Sequence, residues 1–384
     1  MIEAGTTRKA LVLMLGVAMV AGCKVIPKGA PAPAPEPSPG ESLPQDKARH
    51  RVALLVPLTG SNAALGQSIA NATTMAILDT NAQNIRITSY DTAATGGAAG
   101  AARQALADGN KLILGPLEAV ETGAVAAVAR PAKVPLITFS GDAQVAARDT
   151  FVMGSSTTQS IDRVVSFAID KGVTRFALLA PKTEHGREAG LAFSAAVRAA
   201  GGTVVASDSY DRGNNSILSA ASRLKAKGGY QAVLIADSAR YAAQAAPRLK
   251  SAGAASPRIL GTELWSGDPL ASSTPALRGA WFAAISDSRF RQFATSYTAR
   301  FGGAPYRQAT LGYDAVLLTV RIARDWKPGS AFPYAVMADP GGFLGLDGPF
   351  RFLPSGEGQR ALEVRETRAG GITVVSPAPE KFIG

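Results

Sequence analysis

Residues 51–68 read RVALLVPLTGSNAALGQS. Five apolar residues, 52–56, run straight into Pro-Leu-Thr-Gly-Ser-Asn, and an Ala-rich stretch follows. A short apolar run closed by turn residues reads as a buried strand, and the helical spacing after it reads as a helix. The same sentence is written again further on. RFALLAPKTE begins at 175; ITSYD, ending at Asp91, returns as SDSYD, ending at Asp211. DGNKLILGPLEA from 108 is answered by KGGYQAVLIADSA from 227, and VPLITFS from 134 by PRILGTEL from 257. Four matches in order, each about 120 residues apart, describe two similar halves, and a period of that size is a domain rather than a solenoid unit.

Between the matches the chain alternates. Strands are expected at 51–56, 85–90, 111–114, 134–138, 175–180, 203–207, 231–236, 257–261 and 280–285, with helices between them. Strands separated by helices of ten or more residues form βαβ units and parallel sheets. The fold class is therefore α/β, with two doubly wound parallel-sheet lobes joined by a hinge. After 286 the order changes: helices near 289–301 and 307–325, the turn-like GGFLGLDGPF, then short strands near 349–353, 361–366 and 371–376.

The N-terminus is read as a targeting segment. Arg8 and Lys9 precede ALVLMLGVAMVAG, too short for a comfortable membrane span, which ends at Cys23. VAGC resembles a bacterial lipobox, so residues 1–22 are expected to be a signal peptide and Cys23 the lipidated residue that holds the protein to a membrane. Lys24, where an inner-membrane signal usually has Asp, points to the periplasmic face of the outer membrane. Residues 25–46 carry seven prolines and read as an extended tether. The expected division is a tether over 23–48, a first lobe of 49–156 plus 287–340, and a second lobe of 157–286 plus 341–384.

Composition narrows the chemistry. The net charge is +11, but the cations are scattered among acids, with no basic and aromatic interleaving, so no nucleic-acid partner is expected. The single Cys excludes a disulfide framework, and two histidines, His50 and His185, exclude a His-rich metal site. His50, at the end of the tether, is expected at the surface. No G-x-S-x-G elbow, phosphate loop or H-E-x-x-H occurs, so neither an enzyme nor a cofactor is expected.

In open parallel sheets ligands sit beyond the carboxyl ends of the strands. Those positions hold Thr59 and Ser61, Ala119, Ser140 and Asp142 in the first half, and His185, Asp237, Ser238, Glu263 and Trp265 in the second. Such residues also cap helices, so the set carries more weight than any member. Facing one another across a hinge, they would form a cleft for a small polar ligand.

VALLVPLTGSNAALGQSIANATTMAILD, LILGPLEA, VPLITFSGDA, TRFALLAPKTEHGREAGLAFSAAVRAAGGTVV, GYDAVLLT and GPFRF together resemble type I periplasmic binding proteins of the leucine/isoleucine/valine-binding class, over residues 50 to about 378. The resemblance implies two lobes, three crossovers and a closing cleft. It places Glu263 where an acid meets an α-ammonium and His185 where an aromatic stacks. It also puts Ala119 where a Ser is usual, and Asp142, which would repel a substrate carboxylate, where a Thr is usual. GPLEA together with the tether further resembles lipoprotein activators of penicillin-binding proteins. The leading expectation is therefore an activator whose partner is a peptidoglycan synthase; the alternative is a receptor for an amino acid or small polar solute that serves an ABC permease.

Overall fold

The computed structural model describes residues 48–250 and 256–382. The signal peptide, Cys23 and nearly all of the tether lie outside the described residues.

The first lobe is built from β1 (His50–Val56), α1 (Ala63–Thr80), β2 (Ile85–Asp91), α2 (Gly97–Ala107), β3 (Leu112–Leu114), α3 (Ala119–Ala129), β4 (Leu136–Thr138) and β5 (Thr150–Val152). Its sheet is parallel, in the order β2-β1-β3-β4-β5. The opening apolar run is explained by the pleat. Val52, Leu54 and Val56 point into one core cluster, with Ile69 of α1, while Ala53 and Leu55 point into another, with the alanines of α2 and α3. Successive side chains leave a strand on opposite faces, so a strand covered on both sides must be apolar throughout.

The second lobe repeats the scheme with α4 (Thr157–Asp170), β6 (Arg175–Pro181), α5 (Glu184–Ala199), β7 (Thr203–Tyr210), α6 (Ser216–Lys227), β8 (Ala232–Ile235), α7 (Ala239–Leu249), β9 (Arg258–Gly261), α8 (Pro269–Ser273) and β10 (Trp281–Ala284). In β6, Ala177 and Leu179 face the helices α6 and α7, and Phe176 and Ala180 face α4 and α5.

The chain then returns with α9 (Ser288–Phe301), α10 (Ala309–Ile322) and α11 (Tyr334–Met337), followed by β11 (Phe343–Gly345), β12 (Gly348–Phe352), β13 (Gly358–Arg360), β14 (Glu363–Arg368) and β15 (Gly371–Ser376). Leu311, Ala315, Leu318 and Ile322 of α10 complete the first lobe's core. α10 lies so close to α1 that a Cβ on Gly312 would sit 2.7 Å from the carbonyl oxygen of Ile69, so only glycine allows this approach.

Two expectations change here. β11, β12 and β13 form a separate antiparallel sheet whose Phe343, Phe350 and Phe352 belong to the first lobe's core, and only β14 and β15 extend the second sheet, antiparallel at its edge. The stretch 341–384, expected whole in the second lobe, is thus shared between the two. His50 is buried, not exposed. Its ring stacks on Trp326 at 4.0 Å and its Nε2 contacts the Trp326 carbonyl at 2.8 Å. Burial lowers its pKa, against the opposing pull of that hydrogen bond.

The chain passes between the lobes three times, over 153–156, 285–287 and 361–362. Each passage is held by arginine. Arg360 donates from Nε and Nη2 to the Met153 carbonyl at 2.9 and 2.7 Å. Arg365 donates to the Ile285 carbonyl, to Asp287 and to Glu363 at 2.6–2.7 Å.

Candidate functional site in the interlobe cleft

Strand ends bring the site together. β4 and β5 leave the first sheet side by side, with Met153 donating to the Thr138 carbonyl and Gly154 to that of Ser140. Their exits pack backbone on backbone: a Cβ on Gly141 would lie 2.0 Å from the Ser155 carbonyl oxygen. Thr138 Oγ1 anchors the first exit, donating to the Pro116 carbonyl and accepting from Ser140 N at 3.1 Å. Ser140 Oγ accepts from Asp142 N, and Asp142 Oδ1 accepts from Gln144 N at 2.8 Å, which closes a tight turn over Ala143–Val145. Opposite stand the first turns of α4 and α5. Thr183 caps α5 by accepting from Gly186 N.

Between these walls lies a cavity of about 650 Å³, lined by Gly141, Asp142, Gln144, Ser155–Thr158, His185, Arg187, Glu188 and Leu264, with Ala189, Ala192 and Ala195 as its apolar side. A second cavity, of about 260 Å³, shares Ser155 and continues past Glu263 to Ser266, Arg307, Thr310 and Asp347. The first volume suits a small molecule. One hydrogen bond spans the cleft: Gln144 Nε2 donates to Glu188 Oε1 at 2.7 Å, joining a first-lobe loop to a second-lobe helix. Its neighbourhood is exposed, so Gln144→Ala is expected to weaken closure by under about 1 kcal/mol, seen as a several-fold loss of ligand affinity with an unchanged melting temperature.

The polar atoms in the cleft are not all used. His185 Nε2 and Glu263 Oε2 are buried without a hydrogen-bond partner. Glu263 Oε1 accepts from Thr157 Oγ1 at 2.5 Å, and burial raises the carboxyl's pKa despite that bond and the nearby His185. A buried polar group left unmade costs about 1–3 kcal/mol, so these atoms are uncompensated polar groups at the cleft.

The other expected site residues divide sharply. Asp142 and His185 line the larger cavity and Glu263 the smaller one, whereas Ser140 is buried, lines neither, and braces the turn by accepting from Asp142 N. Thr59 and Ser61 are exposed and line neither cavity; Thr59 donates to Asp91 Oδ2 at 2.7 Å, and the same carboxylate accepts from Leu58 and Ala93 backbone amides. That loop is a turn tied by its own aspartate. Ala119 opens α3 and Ser238 precedes α7, also away from both cavities. Asp237 is engaged on every side, by Arg212 at 2.9 and 2.7 Å and by Tyr210 Oη at 2.5 Å. Trp265 is fully buried, and its indole donates to the Asp237 carbonyl at 2.9 Å. Both are framework. The residues that the strand-end rule passed over are Gln144, in the turn Ala143–Val145, Ser155–Thr158, in GSSTTQ (154–159), and Glu188, near the start of α5; the run of small hydroxyls before a helix was the one local signal for 155–158.

A model described as "Periplasmic binding protein" matches residues 50–370. The chain belongs to the periplasmic binding protein family. Such proteins are ligand binders rather than enzymes, and membership places this one in the cell envelope. Among solved structures, it is similar to that of a putative branched-chain amino acid ABC transporter from Rhodospirillum rubrum (22% identity, covering 85% of this chain and 100% of that one, TM-score 0.75). It is also similar to a branched chain amino acid ABC transporter periplasmic ligand-binding protein from Burkholderia xenovorans (18% identity, 86% and 96% covered, TM-score 0.71). A third is an ABC transporter solute-binding protein from R. palustris solved with benzoate (18% identity, 86% and 97% covered, TM-score 0.59). At these identities the likeness shows a shared fold. No curated protein matches the sequence. The described residues contain no helix long and apolar enough to cross a membrane.

Proposed function

We propose that this chain is the solute receptor of an ABC uptake system, closing on a small molecule with at least one polar end and handing it to a permease. The observation that carries this is the pair of adjoining interlobe cavities, with the unpartnered Nε2 of His185 buried at the larger and Oε2 of Glu263 at the smaller. A protein acting only through a macromolecular partner has no need to hold unsatisfied polar atoms there, since each costs stability until something pairs with it. The similar structures, two of branched-chain amino acid ABC transporter proteins and one of an ABC transporter solute-binding protein with benzoate, support the same reading. The order of the two sequence expectations is thereby reversed: the receptor comes before the penicillin-binding protein activator. Lipid anchoring at Cys23 and an outer-membrane location stay part of the proposal on the strength of the lipobox-like VAGC and Lys24.

A thermal-shift panel of branched-chain and other amino acids, benzoate, hydroxybenzoates and small sugars tests it. A solute at 100 times its Kd adds about 2.7 kcal/mol of stability. A clear rise in melting temperature with one chemical class is expected. A flat response across the panel, together with retention of the protein on an immobilised peptidoglycan synthase, would return the activator to first place.

A further inference from the structure

Away from the cleft, at the amino ends of the second lobe's strands, lies another cavity, of about 390 Å³. Four cations line it: Lys171 at the end of α4, Lys250 at the end of α7, Arg258 at the start of β9, and Arg278 just before β10. No carboxylate lines it, and none of the four forms an ion pair within 4.0 Å among the described residues. Two of the cations are fixed in place. Lys250 Nζ donates to the Arg278 carbonyl at 2.9 Å; Arg258 donates to the Gly279 carbonyl and lies over the Trp281 ring at 4.2 Å. Glu366, which accepts from the Trp281 indole at 3.0 Å, is already paired with Arg368 at 3.1 Å. Burial and the charge of Arg258 both lower the pKa of Lys250, the mark of positive charge gathered without compensation.

Helix polarity explains only half of this arrangement. Lysines at the carboxyl ends of α4 and α7 suit the helix dipoles. Arg258 sits on no helix end and Arg278 only follows the single 3-10 turn Pro275–Leu277, and they add two guanidiniums where like charge is already concentrated. A guanidinium held over an aromatic ring and by a backbone carbonyl, as Arg258 is, is preorganised for an oxyanion rather than for water alone.

We propose that this cavity is a second binding site, independent of the cleft, for a phosphate-bearing anion. The same chemistry is presented by a free polyphosphate and by an anionic lipid headgroup.

Titration calorimetry of the full chain with inorganic pyrophosphate at low salt tests it, beside flotation with vesicles of phosphatidylglycerol or phosphatidylcholine. The variant carries Lys171→Ala and Arg278→Ala, two exposed side chains that make no ion pair, and its melting temperature is checked against the parent. We expect binding that weakens at least tenfold in the double variant and about tenfold more when salt is raised past the screening range. Pyrophosphate binding with no vesicle capture assigns a soluble ligand. Capture by phosphatidylglycerol alone, lost in the variant, assigns a headgroup. Absence of both, or binding that the variant leaves unchanged, overturns the proposal.

Discussion

Replacing Arg360 by methionine is expected to cost about 3–5 kcal/mol of folding stability, because it takes the cation from buried Asp314, removes one of the two beside Asp347, and breaks the tie to Met153. Asp314 is completely buried on α10, and Asp347 is 2% exposed at the β11–β12 turn. Arg360 Nη1 lies 3.9 Å from an oxygen of each. The same guanidinium ties down Met153 at the first passage between lobes and lies over the Phe350 ring at 5.3 Å. Methionine keeps the apolar volume and the ring contact, so the loss reports the charge together with the two hydrogen bonds to Met153. Urea denaturation of the parent and variant reads it directly; a loss under about 1 kcal/mol would mean that the cluster is hydrated and worth little.

The same cluster sets a pH dependence. Burial, and then the negative charge of Asp347, push the Asp314 carboxyl up to about 7, against the opposing pull of Arg360 and two backbone amides. A carboxyl raised in the folded state binds an extra proton there. Its contribution to stability is complete below the ordinary aspartate range and is lost as pH climbs through about 7. Asp347 faces it from the turn and is itself held by Arg307 at 2.8 Å and Thr310 at 2.8 Å, so it is Asp314 that carries the proton. Unfolding free energies at pH 5 and pH 8 are expected to fall for the parent and to differ less for Asp314→Asn.

The second large effect separates framework from site. Asp237→Asn is expected to lose about 1.5–3 kcal/mol of stability, the range for hydrogen bonds to a charged group, while ligand affinity stays within about threefold. The carboxylate is 1% exposed and joins Arg212, Tyr210 and, through its backbone carbonyl, Trp265. Arg212 is itself partly exposed, which keeps the figure toward the lower end. Denaturation and ligand titration on the same variant decide the matter. A large affinity loss without a stability loss would put Asp237 back in the binding site.

What could be read from the chain in advance follows from how local each signal is. The paired runs at 51 and 175 revealed both lobes because a strand buried on two faces must be apolar at every position, which is visible without neighbours. β5 was not legible: Thr150–Val152 is three residues long, too short for any periodicity. With β5 unseen, the exit at Ser155–Thr158 was unseen too, although it makes one wall of the cleft. His50 misled because burial came from Trp326, far along the chain. Asp237 and Trp265 stand at strand ends as ligand residues do, and only their pairing with Arg212 and Tyr210 shows that they are occupied. The C-terminal strands were visible, but the lobe each would join was not, since that depends on which core receives Phe343, Phe350 and Phe352.

Titration calorimetry of the solute that gives the largest thermal shift, on the parent and on His185→Ala and Glu263→Ala, tests the cleft assignment most directly. The account predicts at least tenfold weaker binding in one or both variants, with a melting temperature of the unliganded His185→Ala protein equal to or above the parent's, because it removes a buried atom that has no partner, and a modest loss for Glu263→Ala, which also removes the bond from Thr157. Unchanged affinity in both would contradict it and move the ligand out of the interlobe cleft.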